Sequence, residues 1–159
     1  ITTNEIENLA RRIHNSLWKY QDLIWKSKLL SNKSEVIKPE KVIELLHYAY
    51  HDVDTLGVNE LNEEIAGIIN NQDFTITVSK KYNPEIVNFT TAHELGHALL
   101  HNKLKLHRDL PLDGSEIKNI RPIEEIQADK FAAAFLMPRK MVIEVFQEMF
   151  KLKTFSINN

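Results

Sequence analysis

His93 and His97 are four residues apart and separated by Glu94-Leu95-Gly96. On a helix that spacing sets both imidazoles on one face about a turn apart. Two neutral imidazoles so placed can hold one Zn²⁺ at ~2.1 Å each. Glu94, offset by one residue, turns away from direct ligation and toward water bound on the metal, where a general base is needed. Gly96 permits close approach of another element or of a substrate backbone. With seven His and fifteen Glu in 159 residues, shuffled chains contain such a string about 3% of the time. The surroundings must therefore carry the case.

A catalytic zinc site needs a third protein ligand and an open position. His101 shares the face of His97 but is eight residues from His93, about 12 Å along a helix axis, so it reads as a helix-end or outer-shell group. Position 103, where a common extension of the motif has a third histidine, is Lys103. Glu125 and Asp129 lie four apart further on, with Ala128, Ala132 and Ala133 favouring close helix packing. Glu125 can complete the metal site, while Asp129 accepts the Nδ1–H of a ligand histidine and fixes its tautomer. Glu124 is the alternative ligand, without a carboxylate partner at i+4. An acidic pair on a helix is ordinarily a solvated face; Ile126, Phe131 and the alanines argue instead for a buried helix.

The elements that must position these residues follow from periodicity. Apolar residues from Ile6 to Ile24 at three-to-four spacing predict a first helix, with Thr2/Glu5 or Asn4/Glu7 as a capping box. A second begins at Pro39 and carries Val42, Leu46, Ala49, Tyr50 and Val53 inward. Ile65 to Ile69 and the alternating Phe74, Ile76 and Val78 flank Asn70-Asn71-Gln72-Asp73, which predicts an antiparallel hairpin. Asn83-Pro84 caps the helix bearing His93, running to about Leu100. A polar connection over 102–120, with Pro111 and Asp113-Gly114, has the length of a functional loop. A fourth helix runs from Pro122 to Leu136 and a fifth from about Lys140 to Phe150. The expected architecture is α+β: one domain over 1–159, with N-terminal helices in 1–57, the hairpin in 63–80, the active helix in 84–101 and two helices in 121–150.

Composition narrows the function. Hydrophobic residues make up 43% and charged residues 26%, with a net charge of −2, which gives no electrostatic reason to expect nucleic acid or an anionic membrane as partner. The absence of cysteine leaves His, Asp and Glu as metal ligands. No apolar run is long enough to span a bilayer. The polar, helix-like start matches no signal peptide, and a cytoplasmic protein is the expectation.

The segment NFTTAHELGHALLH from Asn88 to His101 resembles the active helix of the ImmA/IrrE-type metallopeptidases. EIQADKFAAAFLMP, from Glu125 to Pro138, is similar to their third-ligand helix. The resemblance spans roughly residues 65–138 and departs at Asn88, where the family often has Arg. It implies a zincin-like fold with helices on a small antiparallel sheet, zinc on His93, His97 and Glu125, and Glu94 as base. It also implies a regulatory role: cleavage of a helix-turn-helix repressor, often in mobile-element or stress-response circuits. His₂Glu also admits Mn²⁺.

The expected activity is site-specific cleavage of a regulatory protein by zinc-bound water activated by Glu94. The alternative is a non-catalytic, metal-containing module that binds a repressor or antitoxin without cutting it. Phe74 to Ser79 is expected at the sheet edge beside the metal, where an extended substrate could add as a strand. Tyr82, His101 and His107 are candidates for an oxyanion donor. Trp18 and Trp25, seven apart, suggest core packing more than a binding stripe, and Lys103 to Arg108 a solvated loop.

Overall fold

A computed structural model describes residues 1–26, 28–101, 106–109 and 121–150, with the backbone alone for 106–109, 145, 146, 148 and 150. The chain divides into two compact units: Lys38–Ala132, which holds every candidate site residue, and Ile1–Ile37 together with Ala133–Asn159.

In the second of these, helix α1 (Thr3–Lys19) starts at the Thr2/Glu5 capping box. It stops before Tyr20, and a separate turn of helix, α2 (Gln21–Ile24), follows. The single helix expected from Ile6 to Ile24 is therefore two. Trp18 lies on α1 and Trp25 just past the end of α2, and both are half-buried. Ile6, Ala10, Leu17 and Val36 are buried, as are His14 and Phe135, whose rings sit 4.7 Å apart. Helix α6 (Arg139–Phe150) closes the described chain.

The Lys38–Ala132 unit is built on a four-stranded sheet. Helix α3 (Pro39–Leu45) has its proline in the first turn. It ends sooner than the apolar spacing predicts, because His47 takes a left-handed conformation (φ 62°). The Tyr48 amide then donates to the Ile43 carbonyl at 3.1 Å and the His47 amide to Glu44 at 3.0 Å. Those two bonds form the helix-ending motif that glycine usually supplies. The chain continues as β1 (Ala49–Val53) rather than as helix.

Strands β2 (Gly67–Asn70) and β3 (Thr75–Ser79) form the expected antiparallel hairpin around the 70–73 turn. The sheet order is β1-β3-β2-β4, with β4 at Leu106–Asp109. β1 pairs parallel to β3, with Tyr50 opposite Ile76, so the sheet is mixed rather than antiparallel throughout. β3 is thereby an interior strand, and the outermost described strands are β1 and β4. The expectation of Phe74 to Ser79 as an edge open to substrate is overturned, since β1 and β2 use its two sides. β4 also replaces part of the loop expected at 103–108. Pro111 and Asp113-Gly114 lie outside the described residues, as does the His107 side chain.

Alternation assigns the faces of the hairpin. Gly67 and Ile69 of β2, and Ile76 and Val78 of β3, are buried on the face that receives helix α4 (Pro84–Leu100). Asn83 caps α4 by accepting the Ile86 amide at 3.0 Å. Every residue from Thr90 to His97 is buried, which puts the HELGH segment inside the unit. Helix α5 (Ile123–Leu136) packs against α4. A Cβ at Gly96 would stand 3.1 Å from Ala128 Cα and 3.2 Å from its carbonyl oxygen. Gly96 therefore makes room for the α5 backbone, and contact this close requires residues as small as Gly and Ala.

Candidate metal centre

Helix α4 projects His93, Glu94 and His97 from its most buried stretch, at 4%, 0% and 0% exposure. Burying two imidazoles costs several kcal/mol unless they meet partners, and α5 brings partners to both. Glu125 Oε2 is 3.3 Å from His93 Nε2, and Glu125 Oε1 is 3.4 Å from His97 Nε2. The two Nε2 atoms are 3.0 Å apart. Among the described residues, His93, His97 and Glu125 form the one group of three or more whose donor atoms converge, all within 4.8 Å of one another. Glu125 is the carboxylate in it, not Glu124.

These separations fit a metal. A tetrahedral ion with bonds of ~2.05 Å holds its ligand atoms about 3.3 Å apart. Two imidazole nitrogens with one carboxylate suit zinc and its first-row neighbours better than Mg²⁺ or Ca²⁺, which favour all-oxygen shells. The His-His-Glu group could hold a metal ion.

The outer partners settle which nitrogen faces the site. Asp129 Oδ1 accepts from His93 Nδ1 at 2.8 Å, leaving Nε2 to point inward. Arg121 donates to the other oxygen of Asp129 and lies 3.9 Å from Glu125 Oε2. Arg121, Glu125 and Asp129 thus sit at four-residue intervals along one line. Burial works against ionisation of Glu125, but the hydrogen bonds and positive charge of protonated His93 and His97, a state that a bound metal would displace, outweigh it. The carboxyl is held well below the ordinary range as a result, in the deprotonated form that a ligand needs.

His101 caps α4, donating its amide to the His97 carbonyl at 2.9 Å. Its ring Nδ1 is 2.9 Å from His97 Nδ1, and its Nε2 is 2.9 Å from Gln127 Oε1. Of the two alternatives expected for it, the helix end is where it stands, and its ring also meets that of His97. Burial pushes its pKa below the ordinary imidazole value, with the Gln127 bond opposing. Tyr82 lies with Tyr50, Val87, Asn88 and Thr91 in a groove of about 510 Å³ beside β1.

Three residues of the site carry no signal in the sequence: Arg121, already described, Gly67 and Gln127. Gly67 of β2 abuts the general-base candidate: a Cβ there would overlap Glu94 Oε1, stand 3.0 Å from its Cδ and 2.9 Å from Thr90 Cγ2. Gln127, about 200° round the helix from Glu125, reaches His101 by its amide all the same. Ile126, counted as buried, is 37% exposed, so one side of α5 is solvated.

No curated protein matches the chain. The model of the M78 peptidase family, described as the IrrE N-terminal-like domain, matches residues 71–154, which include β3, α4 with HELGH and all of α5. With more than half its length matched and a His-His-Glu group in place, the chain belongs to the M78 peptidases of the IrrE N-terminal-like type, a metallopeptidase family.

Proposed function

We propose that the protein is a zinc-dependent endopeptidase that cuts a regulatory protein of the helix-turn-helix repressor class at a specific site. The observation that carries the hydrolytic reading is the convergence of His93 Nε2, His97 Nε2 and Glu125 beside the buried Glu94. The repressor class rests on the likeness of the α4 and α5 segments to ImmA/IrrE-type enzymes.

Zinc held by the three donors supplies Lewis-acid polarisation of the scissile carbonyl and of the attacking water. The remaining work belongs to the chain. Glu94 receives the water proton on a carboxylate oxygen and returns it to the departing amine nitrogen. Asp129 keeps the His93 proton on Nδ1, so that Nε2 stays free to ligate. The packing of α4 against β2 and β3 keeps the site dry on that side and strengthens each of these interactions.

The test is Glu94→Gln against wild type, with zinc content and cleavage of a candidate repressor measured together. The expected outcome is unchanged zinc and abolished cleavage. If wild type binds the repressor stoichiometrically and leaves it whole at every enzyme ratio, the protein is the non-catalytic module instead.

A further inference from the structure

The two imidazoles of the centre are oriented by different means. His93 leans on the carboxylate of Asp129, whereas His97 leans on a second imidazole, which in turn meets an amide. The directions of those last two bonds are not free. His97 Nε2 faces His93 Nε2 and Glu125 Oε1, so a ligating His97 must carry its proton on Nδ1. That proton is then donated to His101 Nδ1, which must be a bare lone pair. A neutral imidazole bare at Nδ1 is protonated at Nε2. His101 Nε2–H therefore donates to Gln127, and the amide must present Oε1 rather than its NH₂ group.

We propose that His101 and Gln127 are positioning residues that form an uncharged chain fixing His97 in its metal-ligating tautomer. Gln127 Oε1 selects the tautomer of His101, and His101 passes the selection to His97. Were the amide turned over, each donor would reverse. His101 would donate from Nδ1, and the His97 proton would move to Nε2, the atom the metal needs. Each residue comes from one of the two helices. His101 lies one turn beyond His97 on α4, and Gln127 lies two residues past Glu125 on α5. The chain spans the same pair of helices as the ligand set, so docking α5 delivers the third ligand and the tautomer lock together. Because it carries no charge, it orients His97 without adding a fourth carboxylate to a site that already has Glu94, Glu125 and Asp129.

This inference rests on the metal-site reading, and the experiment separates the two. Zinc affinity is measured by chelator competition on the full chain for wild type, Gln127→Leu, Gln127→Glu and His101→Phe. Imidazole ¹⁵N shifts of the zinc-loaded wild type report the proton positions. His101 is expected to be protonated at Nε2 and bare at Nδ1. Affinity should fall about 10–100-fold in His101→Phe and by a smaller factor in Gln127→Leu. Gln127→Glu, whose carboxylate accepts the same bond, should keep wild-type affinity or exceed it; a packing role alone would not give that rescue. A zinc-loaded wild type with the His101 proton on Nδ1 overturns the chain, as does equal affinity across all four proteins. A wild type that binds no zinc overturns the metal centre and the chain with it.

Discussion

Gly67→Ala tests whether the β2 backbone sets the position of Glu94. The added methyl overlaps Glu94 Oε1, reaches 3.0 Å from Cδ and 2.9 Å from Thr90 Cγ2. Restoring ordinary carbon contacts of ~3.5 Å or more requires the Glu94 carboxylate to retreat by about 1 Å. Overpacking of this kind costs roughly 1–3 kcal/mol, and the smaller entropy of the unfolded alanine chain returns about 0.4–1 kcal/mol. The net loss in unfolding free energy is then roughly 0–2.6 kcal/mol, small enough to leave a folded protein. The catalytic effect should be larger, because a 1 Å misplacement of a reacting group can cost about 100-fold in rate. Hydrolysis of a quenched peptide substrate would show a drop in kcat of that order, with metal content unchanged. The same substitution in a Thr90→Ser/Glu94→Ala background removes both clashing groups, and the stability cost should nearly vanish. An undiminished cost in that background would refute the steric argument, as would full activity in folded Gly67→Ala.

Glu125→Ala is expected to abolish stoichiometric zinc binding while Glu124→Ala retains it, read by elemental analysis after dialysis; the reverse pattern would reassign the third ligand. The buried His14 has its pKa lowered from 6.5 to about 4, chiefly by burial, with Lys33 adding to the shift. Its folded value lies below its unfolded one, so its contribution is complete above pH 6.5 and is lost as pH falls toward 4. The integrated loss is roughly 3 kcal/mol. Denaturant midpoints for wild type and His14→Phe between pH 4 and 7 should converge toward the acid end if this holds, and stay parallel if it does not.

Much of the site could be read from the chain because its signals are local. Asn83-Pro84 announces the start of α4, the four-residue spacing of His93 and His97 sets their shared face, and Glu125 with Asp129 repeats that logic on α5. The hairpin was legible for the same reason: its alternation and turn sit within fifteen residues. β1 was not. Its spacing continues that of α3, the helix ends on a left-handed His47 with no glycine to mark it, and the strand exists by parallel pairing with β3, some 26 residues on. One missed strand then misplaced another, since β3 becomes an edge when β1 is read as helix. Gly67 and Gln127 were invisible on similar grounds. What they serve lies on a different element, 27 positions from Gly67 and 26 from Gln127, and neither has a chemistry of its own to advertise.

The close approach at Gly96 also bears on which ions the site can discriminate. Ala128 meets that position with its Cα and carbonyl oxygen, backbone atoms that cannot rotate aside as a side chain would. Any larger residue at 96 is accommodated by moving the helices apart, and Glu125 travels with α5 while His93 and His97 stay on α4. The helix spacing would act as a calliper on a bound ion: a methyl at 96 needs a few tenths of an ångström, and the same opening at the His-His-Glu group would favour bonds longer than about 2 Å. A residue that contributes no ligand and no proton would then help to decide the ion radius the centre accepts.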